Sequence, residues 1–169
     1  MQFKKLEFTN EAGQKLSARL DLPPDAKPSA YALFAHCFTC SKITKAISHI
    51  SRALTRKGIA VMRFDFTGLG ESEGDFADTN FSSNVADLVT AAEFMATKYE
   101  APKILIGHSL GGAAVLQAAA SIPSASAVIT IAAPADPTHL VRALGDTKDI
   151  IARRGEADVN LAGRTFKIK

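Results

Sequence analysis

An α/β fold, with a mostly parallel central sheet and helices on both of its faces, is predicted by three features of the sequence. From residue 31 onward, near-continuous apolar stretches (YALFAH, IAVMRFDF, KILIGH and SAVITIAAP) alternate with longer segments of helical periodicity. Strands covered on both faces read as unbroken apolar runs, and regular strand–helix alternation builds a parallel sheet. The third feature is a serine framed by glycines, Gly107-His108-Ser109-Leu110-Gly111, between one of these strands and a helix of small residues. The 169 residues, 47% of them apolar, suit a single domain over 1–169 with a core of its own.

Before residue 31, QFKKLEF and QKLSARLDL alternate apolar and polar residues as half-buried antiparallel strands do. TNEAG between them makes a hairpin turn, so this pair is expected at the sheet edge. PPDAKPSA is a proline-rich connection to the first interior strand, 31–36. Over 41–56, Ile43, Ala46, Ile47, Ile50 and Leu54 recur at helical spacing, and Gly58 supplies a stop. His49 falls off that stripe and belongs at the surface. IAVMRFDF follows as a buried strand, TGLGESEGDFADTNFSS as a loop and NVADLVTAAEFMATKYE as an amphipathic helix broken by Pro102. KILIGH is the next strand, and LGGAAVLQAAASI is a helix whose small side chains allow close packing on a sheet. SAVITIAAP is the last clear strand. In the acidic loop, Asp65 and the glycines shape a tight turn. GLGESEG is not a dinucleotide fingerprint, because no helix begins there, and the loop has no metal-ligand spacing.

The formal net charge of +3 is spread along the chain, with ARRGEADVNLAGRTFKIK its most basic stretch. A nucleic-acid footprint would need clustered cations with aromatic platforms, so none is expected. No run reaches the roughly 18 to 20 apolar residues of a membrane span, and the N-terminus lacks the apolar core of a signal peptide. The expectation is a cytoplasmic protein with no membrane contact. Cys37 and Cys40 have the spacing of a redox pair or of half a zinc site. No second cysteine pair follows, and His36 would point to the opposite strand face from Cys37. The pair is therefore expected to be reduced and structural, with no metal and no cofactor bound.

A Gly-x-Ser-x-Gly between strand and helix is the setting of a nucleophile. The sharp turn strains the serine, and only small neighbours tolerate it. Ser109 would stand at the carboxyl end of a central strand, with the helix N-terminus offering N–H groups to an oxyanion. Leu110 supplies one such amide. The loop after the first interior strand, HCFTCSK, supplies the second, with Phe38 the best candidate. His36, Cys37 and His108 are expected to line the pocket.

In these residues the sequence resembles the α/β-hydrolase family. AHCFTCSK, RFDFTGLGESEGDF, FSSNVADL, IGHSLGGAAVLQAA and AAPADP carry the likeness, in that order. In detail the chain is similar to the N-terminal hydrolase domain of bacterial proteins that fuse it to an osmotically-inducible-protein-C-like domain. One departure is visible: many relatives have His-Gly where this chain has His36-Cys37. The resemblance implies an α/β-hydrolase fold and an esterase-like activity on a small ester or thioester. It also implies a possible C-terminal partner domain in the parent protein, and names no substrate.

A serine hydroxyl needs a histidine in reach, and the histidine needs a carboxylate. The family order is serine, acid, histidine, and after Ser109 the only histidine is His139, three residues beyond Asp136. Three readings compete. The preferred one makes the chain a fragment lacking C-terminal strands, with its acid and histidine beyond residue 169. The second uses Asp136 and His139, although His139 would approach from the wrong side of the site. The third is a non-catalytic, hydrolase-like scaffold for protein interaction, whose exposed sheet edge would favour homo-oligomers.

Overall fold

In the computed structural model, residues 2–24, 27–136, 147–161 and 164–168 are described. Strands β1 (Gln2–Thr9), β2 (Lys15–Leu22), β3 (Ala30–Ala35), β4 (Ile59–Phe64), β5 (Ile104–His108) and β6 (Ala127–Ile131) form one sheet in the order β1-β2-β4-β3-β5-β6. β1, β2 and β4 pair antiparallel, whereas β4, β3, β5 and β6 run parallel. The expected edge hairpin and parallel interior are both present. Helices α1 (Lys45–Thr55), α2 (Phe81–Lys98) and α3 (Leu110–Ala118) fill the connections.

The unbroken apolar character of the interior strands follows from burial on both faces. From β3, Ala32 and Phe34 join Val61, Ile106 and Ile47 of α1 in one cluster. Their neighbours Tyr31, Leu33 and Ala35 join Met62, Phe64, Leu105, Leu88, Met95 and Val115 in the other, under α2 and α3. Small residues at Gly111, Gly112, Ala114 and Ala118 bury the face of α3 that meets the sheet.

Two boundaries differ from expectation for local reasons. α1 begins at Lys45, four residues late, because residues 41–44 close a turn of their own: Thr44 N–H donates to the Ser41 carbonyl and Ser41 N–H to Thr44 Oγ1. Ile43 consequently leaves the apolar stripe and is 65% exposed. α2 begins at Phe81 because Asn80 and Ser83 form a reciprocal cap, each side chain accepting the other's backbone N–H.

The stretch after β6 holds more structure than the sequence reading assigned. Helix α4 (Thr147–Arg154) precedes β7 (Ala157–Leu161) and β8 (Arg164–Ile168), an antiparallel pair separate from the main sheet. Val159 is buried, and Phe166 packs on Phe38 and Phe76. His139 lies outside the described residues.

Candidate active site

The frame around Ser109 is set by close backbone approaches. A Cβ at Gly107 would lie 2.1 Å from the Gly111 carbonyl oxygen, and one at Gly111 would lie 2.3 Å from that of Ala35. Both distances are impossible for an alanine, so the glycines are what let strand, turn and helix meet. Ser109 itself takes φ 53° and ψ −116°, on the side of backbone space that side chains avoid. Its N–H donates to the Ile131 carbonyl of β6, and its carbonyl accepts from Ala113 of α3. The hydroxyl makes no capping bond to the helix. Strained backbone held from two sides, with a half-buried side chain released from capping, leaves Ser109 Oγ available at the carboxyl end of β5. Gly107→Ala is expected to cost about 3 kcal/mol or more, since a backbone clash cannot relax as a side chain does. Urea unfolding of the variant measures it.

The loop after β3 lies against this elbow. The Gly111 Cα sits beside the Ala35 and His36 carbonyls, and β3 and β5 align Ala35 with Gly107. The Phe38 ring is held edge-on to Phe76 at 4.5 Å and tilted against Phe166 at 4.6 Å. Strand β8 thus supports Phe38, the candidate oxyanion donor. Leu110 opens α3, where the first N–H groups have no partner within the helix.

Charges that are invisible as a motif fix the loop from below. Asp65, fully buried at the end of β4, accepts from Lys42 N–H at 2.6 Å, Lys42 Nζ at 2.5 Å and Glu71 N–H at 3.0 Å. The Lys42 ammonium also reaches Glu71 at 2.7 Å and holds that carboxyl below its ordinary range. Gly70, at φ 58°, leaves the room that the Asp65 carboxylate occupies. Beneath Lys42, Arg63 donates to the Lys42 carbonyl and to Ser48 Oγ and pairs with Asp21 at 2.6 Å.

His36 is buried, and both ring nitrogens are engaged. Nδ1 lies 2.7 Å from the Cys37 carbonyl and so carries the proton, which leaves Nε2 to accept the Phe66 N–H at 3.4 Å. Asp65, 3.6 Å away, favours the cation, but burial outweighs it and pushes the imidazole below its ordinary 6.5. Neutral His36 therefore orients the loop. Because the unfolded chain binds this proton more readily, His36's contribution to stability is complete above pH 6.5 and drains as pH falls below it. Urea unfolding at pH 7.5 and 5.5 is expected to show that loss, with a slope no steeper than about 1.4 kcal/mol per pH unit that His36→Gln flattens.

Cys37 and Cys40 are joined in a disulfide, which corrects the expectation of reduced thiols. Cys40 N–H closes a turn onto the Cys37 carbonyl, and the Cα atoms stand 5.1 Å apart, well within bridging range. His108 ends β5 half-buried, with a ring nitrogen and both sulfurs within 4.8 Å of one another. Of the remaining candidates, Asp136 is exposed beyond β6. His49 is also exposed, in a depression lined by Arg52, Ala53 and Arg56 from the same helix and its C-cap. No described helix is long and apolar enough to cross a membrane.

The fold has counterparts among known proteins. A model of the serine aminopeptidase S33 hydrolases matches residues 27–154. The chain belongs to that family. Among solved structures, this S33 chain is 54% identical to the esterase domain of a Rhodothermus marinus protein, covering all of this chain and 65% of that one, with TM-score 0.75. Est1E from Butyrivibrio proteoclasticus, solved with ferulic acid, is 27% identical over 96% of this chain and 67% of its own, with TM-score 0.80. The mouse mitochondrial palmitoyl-protein thioesterase ABHD10 is 39% identical over 80 residues, 47% of this chain and 26% of its own. The S33 chain thus spans about a quarter of the length of the curated thioesterases it matches. Together these bear out the α/β-hydrolase fold.

Proposed function

We propose that the chain carries the nucleophile of a serine hydrolase acting on a small carboxylic ester or thioester. The observation behind this reading is the strained Ser109, held at φ 53° by β6 and α3 with its hydroxyl free of capping. Ser109 Oγ attacks the acyl carbonyl as a histidine takes its proton. The Phe38 and Leu110 N–H groups stabilise the tetrahedral oxyanion, where removing a single such donor typically costs about 3 to 4 kcal/mol. The histidine returns the proton to the departing alcohol or thiol, and water then hydrolyses the acyl-serine by the same steps in reverse. Cleavage of esters rather than peptides is supported by the esterase and thioesterase relatives, and no cofactor is needed.

The acid and the histidine of this mechanism are proposed to follow residue 169. Neutral His36 is committed on both nitrogens and cannot serve. The related Rhodothermus chain has about a third of its length outside the match, room enough for both residues. The test is an intact mass spectrum after exposure to a fluorophosphonate, made on this chain and on a chain extended to the length of that relative. A single adduct on the longer chain, lost in Ser109→Ala, is expected. Rapid labelling of the 169-residue chain would instead restore Asp136 and His139, and no serine adduct on either would sink the reading. Turnover of an aminoacyl anilide faster than of p-nitrophenyl butyrate would move the activity to peptides.

A second reading rests on β6. Residues Ala127–Thr130 are exposed, Val128 at 37% and Ile129 at 44%, on the strand that ends the sheet among the described residues. A scaffold that docks another chain there would show tight self-association and no serine labelling.

A further inference from the structure

Cys37, Cys40 and His108 converge beside the nucleophile and have no part in the proposed acyl transfer. The cysteines come from one turn after β3, and the histidine comes from the end of β5. One ring nitrogen and both sulfurs lie within 4.8 Å of one another. Sequence spacing alone shows half a zinc site, since the adjacent His36 is expected on the opposite strand face from Cys37. The fold supplies His108 instead, while His36 is occupied by the Cys37 carbonyl and the Phe66 N–H.

Two thiolates and an imidazole are the donor set of a soft or borderline divalent ion. In a tetrahedral zinc site such donors stand roughly 3.3 to 3.8 Å apart, so the sulfurs need to spread by less than about 2 Å once their bond is opened. Cys37 is nearly buried, whereas Cys40 and His108 are half-exposed, which gives an ion a path from solvent. The position is consequential. Cys37 immediately precedes Phe38 and His108 immediately precedes Ser109, so one ion would tie the oxyanion loop to the elbow.

We propose that, in the reduced protein, Cys37, Cys40 and His108 form a site for a thiophilic divalent cation such as Zn2+, and that the bound ion shuts off hydrolysis. The disulfide form does not take the ion. Opening the bond with a phosphine consumes one water: the phosphorus leaves as its oxide, and the two protons of the water appear on the two thiols. Metal binding then releases both thiol protons to solvent, so affinity weakens as pH falls. The inhibitory half of this proposal rests on the hydrolase reading above, and the binding half does not.

Co2+ is the probe for binding, added to the phosphine-reduced chain and followed by thiolate-to-cobalt charge-transfer absorption. Zn2+ retained after gel filtration gives the stoichiometry. One ion per chain is expected for the reduced protein and none after oxidation with diamide, a comparison that changes no residue and so cannot be confused with misfolding. Cys40→Ser should lose at least half of the charge-transfer absorption, and His108→Gln should weaken binding by no less than the roughly 10- to 100-fold that loss of a partner outside the ligand set costs. Equal binding by oxidised and reduced protein, an unchanged Cys40→Ser or His108→Gln, or no band in the reduced protein would overturn the site. Fluorophosphonate labelling of the reduced, extended chain should then fall in step with Zn2+ occupancy. Undiminished labelling at full occupancy overturns the inhibitory half alone. No labelling with or without Zn2+ overturns the hydrolase reading and its inhibition, and leaves the binding result standing.

Discussion

Replacing Ser109 by glycine is expected to abolish ester turnover and, at the same time, to make the protein more stable. The first effect follows from losing the nucleophile: hydrolysis of p-nitrophenyl butyrate by the active, extended protein should fall by a factor of about 10^4 or more. The second follows from the backbone. Ser109 occupies φ 53°, ψ −116°, a conformation that costs a residue with a side chain about 1 to 3 kcal/mol. Glycine adopts it without strain but loses roughly 0.4 to 1 kcal/mol through its freer unfolded state. The balance is a gain of about 1 kcal/mol, a rise in Tm of about 3 °C for a chain of this size. Ser109→Ala removes the same hydroxyl and keeps the strain, so it should be inactive with an unchanged Tm. Melting curves of the three proteins separate the two effects, and a Tm for Ser109→Gly below that of Ser109→Ala would refute the strain argument.

Asp21→Ala is expected to be the most damaging single change away from the elbow. Asp21 is fully buried and takes three donors: Arg63 Nη2 at 2.6 Å, Ser51 Oγ at 2.5 Å and Arg19 Nε at 2.7 Å. Arg63 is itself 1% exposed, and burial already pulls its guanidinium below its ordinary value against the support of Asp21. Removing the carboxylate leaves a buried cation unpaired, which typically costs about 3 to 5 kcal/mol. A fall in Tm of roughly 10 °C is expected by calorimetry. The double change Asp21→Leu with Arg63→Met should recover much of it, because an apolar pair of similar volume needs no compensation. The double variant tests a second point: without Arg63 the Lys42 carbonyl loses its donor, so the loop carrying Phe38 should loosen while the core is restored.

The architecture was legible wherever the chain repeats a simple physical rule. Alternation in QFKKLEF and QKLSARLDL gave the edge pair, and strands covered twice gave the interior. The framing of Ser109 by Gly107 and Gly111 gave the elbow, because close backbone approach is written directly as glycine. Illegible were the relations that only folding brings about. Arg63 within VMRFDF looks like an interruption of an apolar strand, and its partner Asp21 lies across the β2–β4 pair. The approach of His108 to Cys40 crosses from β5 to the loop after β3, a distance no spacing along the chain expresses. The pair β7–β8 has a faint signal in the sequence: Val159 and Leu161, then Phe166 and Ile168, alternate with polar residues on either side of Ala162-Gly163. A basic, polar stretch masked that pattern, and what makes it cohere is Phe166 on Phe38 and Phe76, a contact made at a distance.

The bond from Ser109 N–H to the Ile131 carbonyl joins the nucleophile to an edge strand. Edge strands fray, and each opening of β6 releases one of the two clamps on the strained serine. The Ser109 amide should therefore exchange its hydrogen at the pace of β6 rather than of the buried β5 beside it. Any chain that adds a strand to β6 would slow that exchange from afar, so a single amide could report when the open edge of the sheet is covered.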